Sequence, residues 1–129
     1  MAIIINQKEN VFTIHTKNST YQMKADAHGT LFHTYYGSRI DETDMSYRIY
    51  SQDRGFSGNP YAMGEIDRAY STDLYPQEYS CFGTGDFRIS GLHVRNQDGS
   101  RGCELRFVNA TVEDGKYGLE GLPAVYADN

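Results

Sequence analysis

An all-β fold, built as an antiparallel β-sandwich, is what this sequence predicts. Three observations predict it. Apolar and polar residues alternate with period two and almost nowhere follow the helical period. Turn signals break the alternation at short intervals. The chain, at 129 residues, has the length of one domain and can bury a core without a disulfide or a metal.

The elements follow in order. Phe12 and Ile14 share one face of a strand, with Val11, Thr13 and His15 on the other. After Lys17-Asn18-Ser19 a second strand alternates Tyr21, Met23 and Ala25 with Gln22 and Lys24. Asp26-Ala27-His28-Gly29 is a turn, with glycine where a positive φ is needed. Leu31 to Tyr36 returns as a strand that ends at Gly37. In the second half, Phe87 to Arg95 is a predicted strand and Asn96-Gln97-Asp98-Gly99-Ser100 a hairpin turn, because Asp-Gly suits the primed turns that match strand twist. Cys103, Leu105 and Phe107 then face one way, and Phe107 is expected in the core. Glu113-Asp114-Gly115-Lys116 marks a further turn, and no repeat at a fixed period runs through the chain.

Composition excludes several function classes. The formal net charge is -5, and the 12 basic residues are scattered rather than clustered. Nucleic acid and anionic membrane surfaces both reward basic clusters, so neither is an expected partner. The apolar start, Met1 to Ile5, has no basic leader or cleavage site, and nothing approaches a membrane span. The expected location is the cytoplasm, where Cys81 and Cys103 stay thiols and the sequons at Asn18 and Asn109 go unmodified. The four histidines, His15, His28, His33 and His93, lie far apart, and no phosphate-cradling loop, nucleophile elbow or metal-binding helix motif is present. No cofactor and no metal are expected.

Chemistry concentrates between Ser51 and Asp86. This stretch has little periodicity and holds Phe56, Tyr61, Tyr70, Tyr75, Tyr79 and Phe82 among several glycines. Loops this long inside a compact domain are uncommon and usually functional. Exposed rings favour aggregation, so the loop either packs on the sandwich or faces a partner. Its carboxylates are Asp53, Asp67, Asp73, Glu78 and Asp86; Asp53-Arg54 and Asp67-Arg68 form two acid–base dipeptides. A sugar hydroxyl both donates and accepts, so an Asp and an Arg together fix its orientation, while a neighbouring ring stacks on the C–H face of a pyranose. From the residues alone this is a carbohydrate-facing loop or a set of turn-forming charges.

Several motifs, in order along the chain, resemble the N-terminal segment of family 36 α-galactosidases. Asp53-Arg54-Gly55-Phe56-Ser57-Gly58-Asn59-Pro60 is similar to that family's Arg-Ala-Phe-Ser-x-Asn-Pro, and the stretch from Asp67 to Tyr79 to its Ser-Leu-Asp-x-Leu-Pro-Gln-Glu-Tyr. Gly85-Asp86-Phe87-Arg88, Asp98-Gly99-Ser100, Tyr35-Tyr36-Gly37 and Leu119-Glu120-Gly121-Leu122-Pro123-Ala124-Val125-Tyr126 each fit a family motif. Gly55 departs from the usual Ala, Tyr75 from a usual Leu, and Asn109-Ala110 from a common Ser-His.

The resemblance implies a β-supersandwich at the head of a larger enzyme, with a (β/α)₈ barrel and a C-terminal β-domain to follow. Such enzymes hydrolyse terminal α-galactosides of the melibiose and raffinose type with retention, using two Asp residues of the barrel. It implies that residues 1–129 are the N-terminal domain, that they contain neither catalytic carboxylate, and that this fragment is inactive by itself. It also implies a homo-oligomer, a tetramer, in which a loop of this domain reaches the active-site mouth of a neighbouring subunit. The matching positions are Asp53 and Arg68, expected to hydrogen-bond the galactoside or the site wall, and Phe56, expected to pack or stack. A free-standing carbohydrate-binding module and a pure assembly module are the alternatives.

Overall fold

A computed structural model describes residues 2–53, 55, 67–115 and 118–123. It contains one four-stranded antiparallel sheet in the order β1-β2-β3-β4, with β1 Ala2–Asn6, β2 Val11–His15, β3 Ser19–Ala25 and β4 Leu31–Ser38. The only helix among the described residues is a 3₁₀ turn at Met45–Arg48, so the chain is all-β as its periodicity predicts. β1 has no alternation to announce it; Ile3, Ile4 and Ile5 run consecutively and become a strand by pairing with β2.

Each connection is closed by a side chain bonding to nearby backbone. Asn6 Oδ1 accepts from the amides of Lys8 and Glu9, both at 3.2 Å, and Asn10 takes the left-handed φ of 52° that asparagine tolerates. Thr16 Oγ1 accepts from Ser19 N at 3.0 Å. Asp26 Oδ1 accepts from His28 N at 2.9 Å and Thr30 N at 2.8 Å, and Gly29 sits at φ 82°, as the turn chemistry of this segment requires.

The register shifts between Gln22 and Met23: Gln22 pairs with Tyr35 and Met23 with His33, which leaves Thr34 as the extra residue of a β-bulge. Its hydroxyl donates to the Gln22 carbonyl at 3.0 Å, which keeps the displaced backbone satisfied. Beyond the bulge the strand runs through Gly37. A Cβ there would meet the Tyr35 hydroxyl at 2.8 Å, so a larger residue at 37 would require the Tyr35 ring to shift.

The sheet's two faces reverse the simple expectation. Phe12, Ile14, Tyr21 and Met23 share one face, where Ile3, Ile5 and Phe107 help line an open apolar groove of about 330 Å³. The other face carries Thr13, His15, Thr20, Gln22 and Thr34, all of them buried, whereas on the first face Phe12 and Ala25 are buried and Ile14, Tyr21 and Met23 only partly so. A strap, residues 39–48, crosses that face and is held by hydrogen bonds. Gln22, fully buried, donates to Thr13 Oγ1 and to the Thr43 carbonyl, both at 3.0 Å, and accepts from Met45 N at 2.9 Å. Thr20 Oγ1 accepts from Ile40 N at 3.1 Å, and His15 Nδ1 bonds Thr20 Oγ1 at 2.8 Å. Lys24 closes the strap through Asp44 at 2.7 Å. Burial pushes the Asp44 carboxyl up, but the bonds from Lys24 and Ser46 outweigh it and hold the group below its ordinary range.

The aromatic core joins this sheet to the following loop. Phe32, Tyr70 and Tyr75 pack edge-on, with centroids 5.0 Å apart for Phe32–Tyr75 and 5.1 Å for Tyr70–Tyr75, and Ile49 and Leu74 lie against them. Pro76–Glu78 extends along the free edge of β4, with His33 N donating to Pro76 O at 2.7 Å and Glu78 N to Leu31 O at 2.9 Å.

Three expectations need correction. Phe87 to Arg95 forms no ladder; its pairing is an isolated parallel bridge, Cys81 with Leu92. An extended segment becomes a strand only beside a neighbour, and Phe87 is 83% and Ile89 92% exposed. Phe107 is only half-buried: it packs on Phe12 at 5.1 Å, but no further layer among the described residues covers it. At Asp98-Gly99 a turn forms, with Asn96 N donating to Ser100 O at 2.9 Å and Gly99 at φ 85°, but no strand among the described residues flanks it, so the expected hairpin is not built.

Candidate functional site

Of the three site positions expected from sequence, two come together. Arg68 Nε lies 3.4 Å from Asp53 Oδ2. Both side chains face solvent, Asp53 45% and Arg68 70% exposed. Phe56 and Arg54 lie outside the described residues.

Local backbone chemistry presents each group. Asp53 Oδ1 accepts from Gly55 N at 2.8 Å, which turns the chain at its own side chain. Arg68 follows Asp67 in a turn closed by Tyr70 N donating to Asp67 O at 3.1 Å, with Ala69 N donating to Asp67 Oδ1 at 2.8 Å. The two segments are tied at Ser51, which donates to the Ala69 carbonyl at 2.9 Å and accepts from the Tyr75 hydroxyl at 3.0 Å. An exposed pair of this kind contributes at most about 1 kcal/mol to stability.

The other carboxylates of the loop are engaged structurally. Asp86, its side chain 1% exposed, receives Arg88 Nε at 2.9 Å, an Arg88 terminal nitrogen at 2.7 Å and Gln77 Nε2 at 2.9 Å. Burial raises the Asp86 carboxyl, but the bonds from the Arg88 side chain and amide exceed that effect and leave it lowered. Arg88 also donates to the carbonyls of Thr72 at 3.0 Å and Tyr75 at 2.8 Å, so it caps the loop it closes. The Gly-Asp-Phe-Arg and Pro-Gln-Glu-Tyr motifs thus meet in one network. Glu78 accepts from the Tyr21 hydroxyl and lies 3.3 Å from His33 Nδ1. Burial, then Glu78 itself, pushes the Tyr21 phenol well up. Asp73 accepts from Ser71 Oγ. Asp26, read in the sequence only as a turn former, also receives the Tyr70 hydroxyl at 2.7 Å. No local signal announces that bond, because its partners are joined only by the fold.

Among the described residues no group of three or more His, Cys, Asp or Glu side chains is arranged to hold a metal ion, and no helix is long and apolar enough to cross a membrane. Cys81 and Cys103 are free thiols; burial raises the Cys81 thiol. A cavity of about 20 Å³ between Tyr70, Gln77, Tyr79 and Leu105 has room for water, not for a sugar ring. Neither it nor the apolar groove contains Asp53 or Arg68. The pair is an open surface feature.

The glycosyl hydrolase family 36 N-terminal domain matches residues 29–129. A bifunctional alpha-galactosidase/sucrose kinase of Mediterraneibacter gnavus is 49% identical over 99% of this chain, which spans 14% of that protein's length. Among solved structures, the galactosidase domain of an alpha-galactosidase–sucrose kinase superposes with a TM-score of 0.86 at 49% identity, over 98% of this chain and 17% of the other. A family 36 alpha-galactosidase variant of Geobacillus stearothermophilus, solved in complex with raffinose, superposes with a TM-score of 0.76 at 32% identity, over 92% of this chain and 16% of the other. The described fold, the ordered motifs and these matches agree: the chain belongs to the glycosyl hydrolase family 36 N-terminal domain family.

Proposed function

We propose that this chain is the N-terminal accessory domain of a retaining α-galactosidase acting on terminal α-galactosides of the melibiose and raffinose type. In this reading residues 1–129 form the N-terminal β-sandwich domain, and the barrel with its two catalytic Asp residues and the C-terminal β-domain lie outside them. The enzyme is a cytoplasmic homo-oligomer, a tetramer, and Asp53 and Arg68 project into the active-site mouth of a neighbouring subunit. Phe56 adds a ring to the same wall. The observation that carries the reading is the juxtaposition of Asp53 and Arg68 on an exposed surface. One donor and one acceptor, fixed side by side, match what a sugar hydroxyl needs. The raffinose complex of a relative supports a galactoside as the ligand class.

The test uses the full-length enzyme. Asp53→Ala or Arg68→Ala should reduce kcat/KM on melibiose by about tenfold to a hundredfold, the loss expected for a charged hydrogen bond to substrate. Light scattering should show the oligomer intact. Wild-type kinetics from intact variant oligomers would remove these residues from the site. The isolated 129-residue chain should release nothing from a chromogenic α-galactoside, since both catalytic carboxylates lie elsewhere.

A second reading, a module for assembly alone, is favoured by one feature. Phe87, Ile89 and Val108, all in the second half of the chain, are each exposed, and large apolar side chains left in solvent are candidates for burial against another surface. Loss of activity in the loop variants that tracks dissociation, rather than occurring in intact oligomers, would favour it.

A further inference from the structure

Asp53 and Arg68 meet at an exposed surface, and the backbone that carries them is tied to the core beneath. An ion pair in water samples many arrangements, because its attraction is weak against side-chain entropy. Yet both residues stand on short, tightly bonded stems, and one hydroxyl touches both. Ser51 lies two positions before Asp53 and donates to the carbonyl of Ala69, the residue after Arg68, at 2.9 Å. The amide of Ala69 donates to Asp67 Oδ1 at 2.8 Å. The peptide groups on both sides of Ala69 are thus held, one by Asp67 within the turn and one by Ser51 across from the other stem. Ser51 is in turn fixed by the Tyr75 hydroxyl at 3.0 Å. Tyr75 is a buried core ring wedged between Phe32 and Tyr70. The chain of contacts runs from the rigid core to the exposed pair without a break. At position 75 the resembled family pattern carries Leu, which has no hydroxyl.

We propose that Ser51 and Tyr75 form a latch that positions Asp53 and Arg68 for the galactoside. Ser51 sets the spacing of the two stems, and the Tyr75 hydroxyl orients Ser51 from the core. Neither touches the reacting atoms; both are positioning residues acting through the pair. The inference rests on the reading that Asp53 and Arg68 meet substrate.

The experiment compares Ser51→Ala, Ser51→Thr, Tyr75→Phe and Asp53→Ala in the full-length enzyme, with kcat and KM on melibiose and with light scattering. Loss of a neutral hydrogen bond that positions a binding group should lower kcat/KM by about threefold to tenfold, mostly through KM. Ser51→Thr keeps the hydroxyl and should retain the wild-type values. In the Asp53→Ala background, adding Ser51→Ala should cost less than it does alone, because only Arg68 is left for the latch to position. Full additivity in that double variant, or wild-type kinetics for Ser51→Ala and Tyr75→Phe beside an impaired Asp53→Ala, would overturn the latch and leave the functional reading standing. Wild-type kinetics for Asp53→Ala would overturn both. Tyr75→Phe retains the core ring, so it tests the hydroxyl even if Ser51→Ala weakens the loop.

Discussion

The sheet of residues 2–38 and the loop region of residues 67–92 satisfy the same backbone in opposite ways. In the sheet, neighbouring strands exchange hydrogen bonds along continuous ladders, and side chains close only the turns. In the loop region the backbone has two short bridges, Phe32 with Gln77 and Cys81 with Leu92, and scattered turn bonds, and long polar side chains take up further carbonyls. Arg88 donates to the carbonyls of Thr72 and Tyr75, and Gln77 donates to the same Thr72 carbonyl and to Asp86. The difference teaches where tolerance lies. A ladder spreads its stability over many equivalent bonds, whereas a network concentrates it in a few charged groups.

The strap tests that contrast most severely, because it is a network laid over a ladder. Gln22→Leu keeps the volume but strands the Thr43 carbonyl and the Met45 amide. The expected cost is about 2–6 kcal/mol, from two backbone groups at roughly 1–3 kcal/mol each, read as a lower urea midpoint. A loss below about 1 kcal/mol would mean that water replaces the amide and that the strap is held elsewhere.

Within the loop region, Arg88→Leu should cost about 1.5–3 kcal/mol, because Asp86 stays buried with fewer donors. The pH dependence sharpens the point. Asp86 is held below the ordinary carboxylate range, so its contribution is fully present above the unfolded value near ~4 and is lost as pH falls through the folded value. Asp44 follows the same sign. Stability should therefore decline below about pH 4, and the decline should be shallower in Arg88→Leu than in the parent. An unchanged acid limb would show that the Arg88 bonds do not depress Asp86.

The smallest effect is expected where the regions meet solvent. Phe107→Ala should cost about 1–2 kcal/mol rather than the 3–5 of a fully buried ring, since Phe107 is only half-buried against Phe12. A larger shift in thermal midpoint would reveal packing on its second side.

Legibility in the sequence followed the range of the interaction. The turns at Asp26–Gly29 and Asn96–Ser100 were readable because an Asp or Asn bonds backbone amides two to four residues on and glycine supplies the positive φ. The alternating strands β2, β3 and β4 were readable because side-chain direction depends on parity alone. β1 is not legible because three successive isoleucines carry no parity, and the alternation from Phe87 to Arg95 predicts a strand for which the fold supplies no ladder. Asp53 and Arg68 were picked out by motif, and their contact lay beyond any local signal.

What the sequence by itself determined, then, is the all-β class, most of the turns and the family motifs, since these depend on residues within a few positions of one another. Only the tertiary structure decided that the polar face of the sheet is buried under the strap, that Asp86 belongs to a structural network, and that Ser51 and Tyr75 stand beneath the Asp53–Arg68 pair. Those outcomes depend on donors and acceptors drawn from separate segments. A polar side chain is cheap to bury only where such a partner already waits for it.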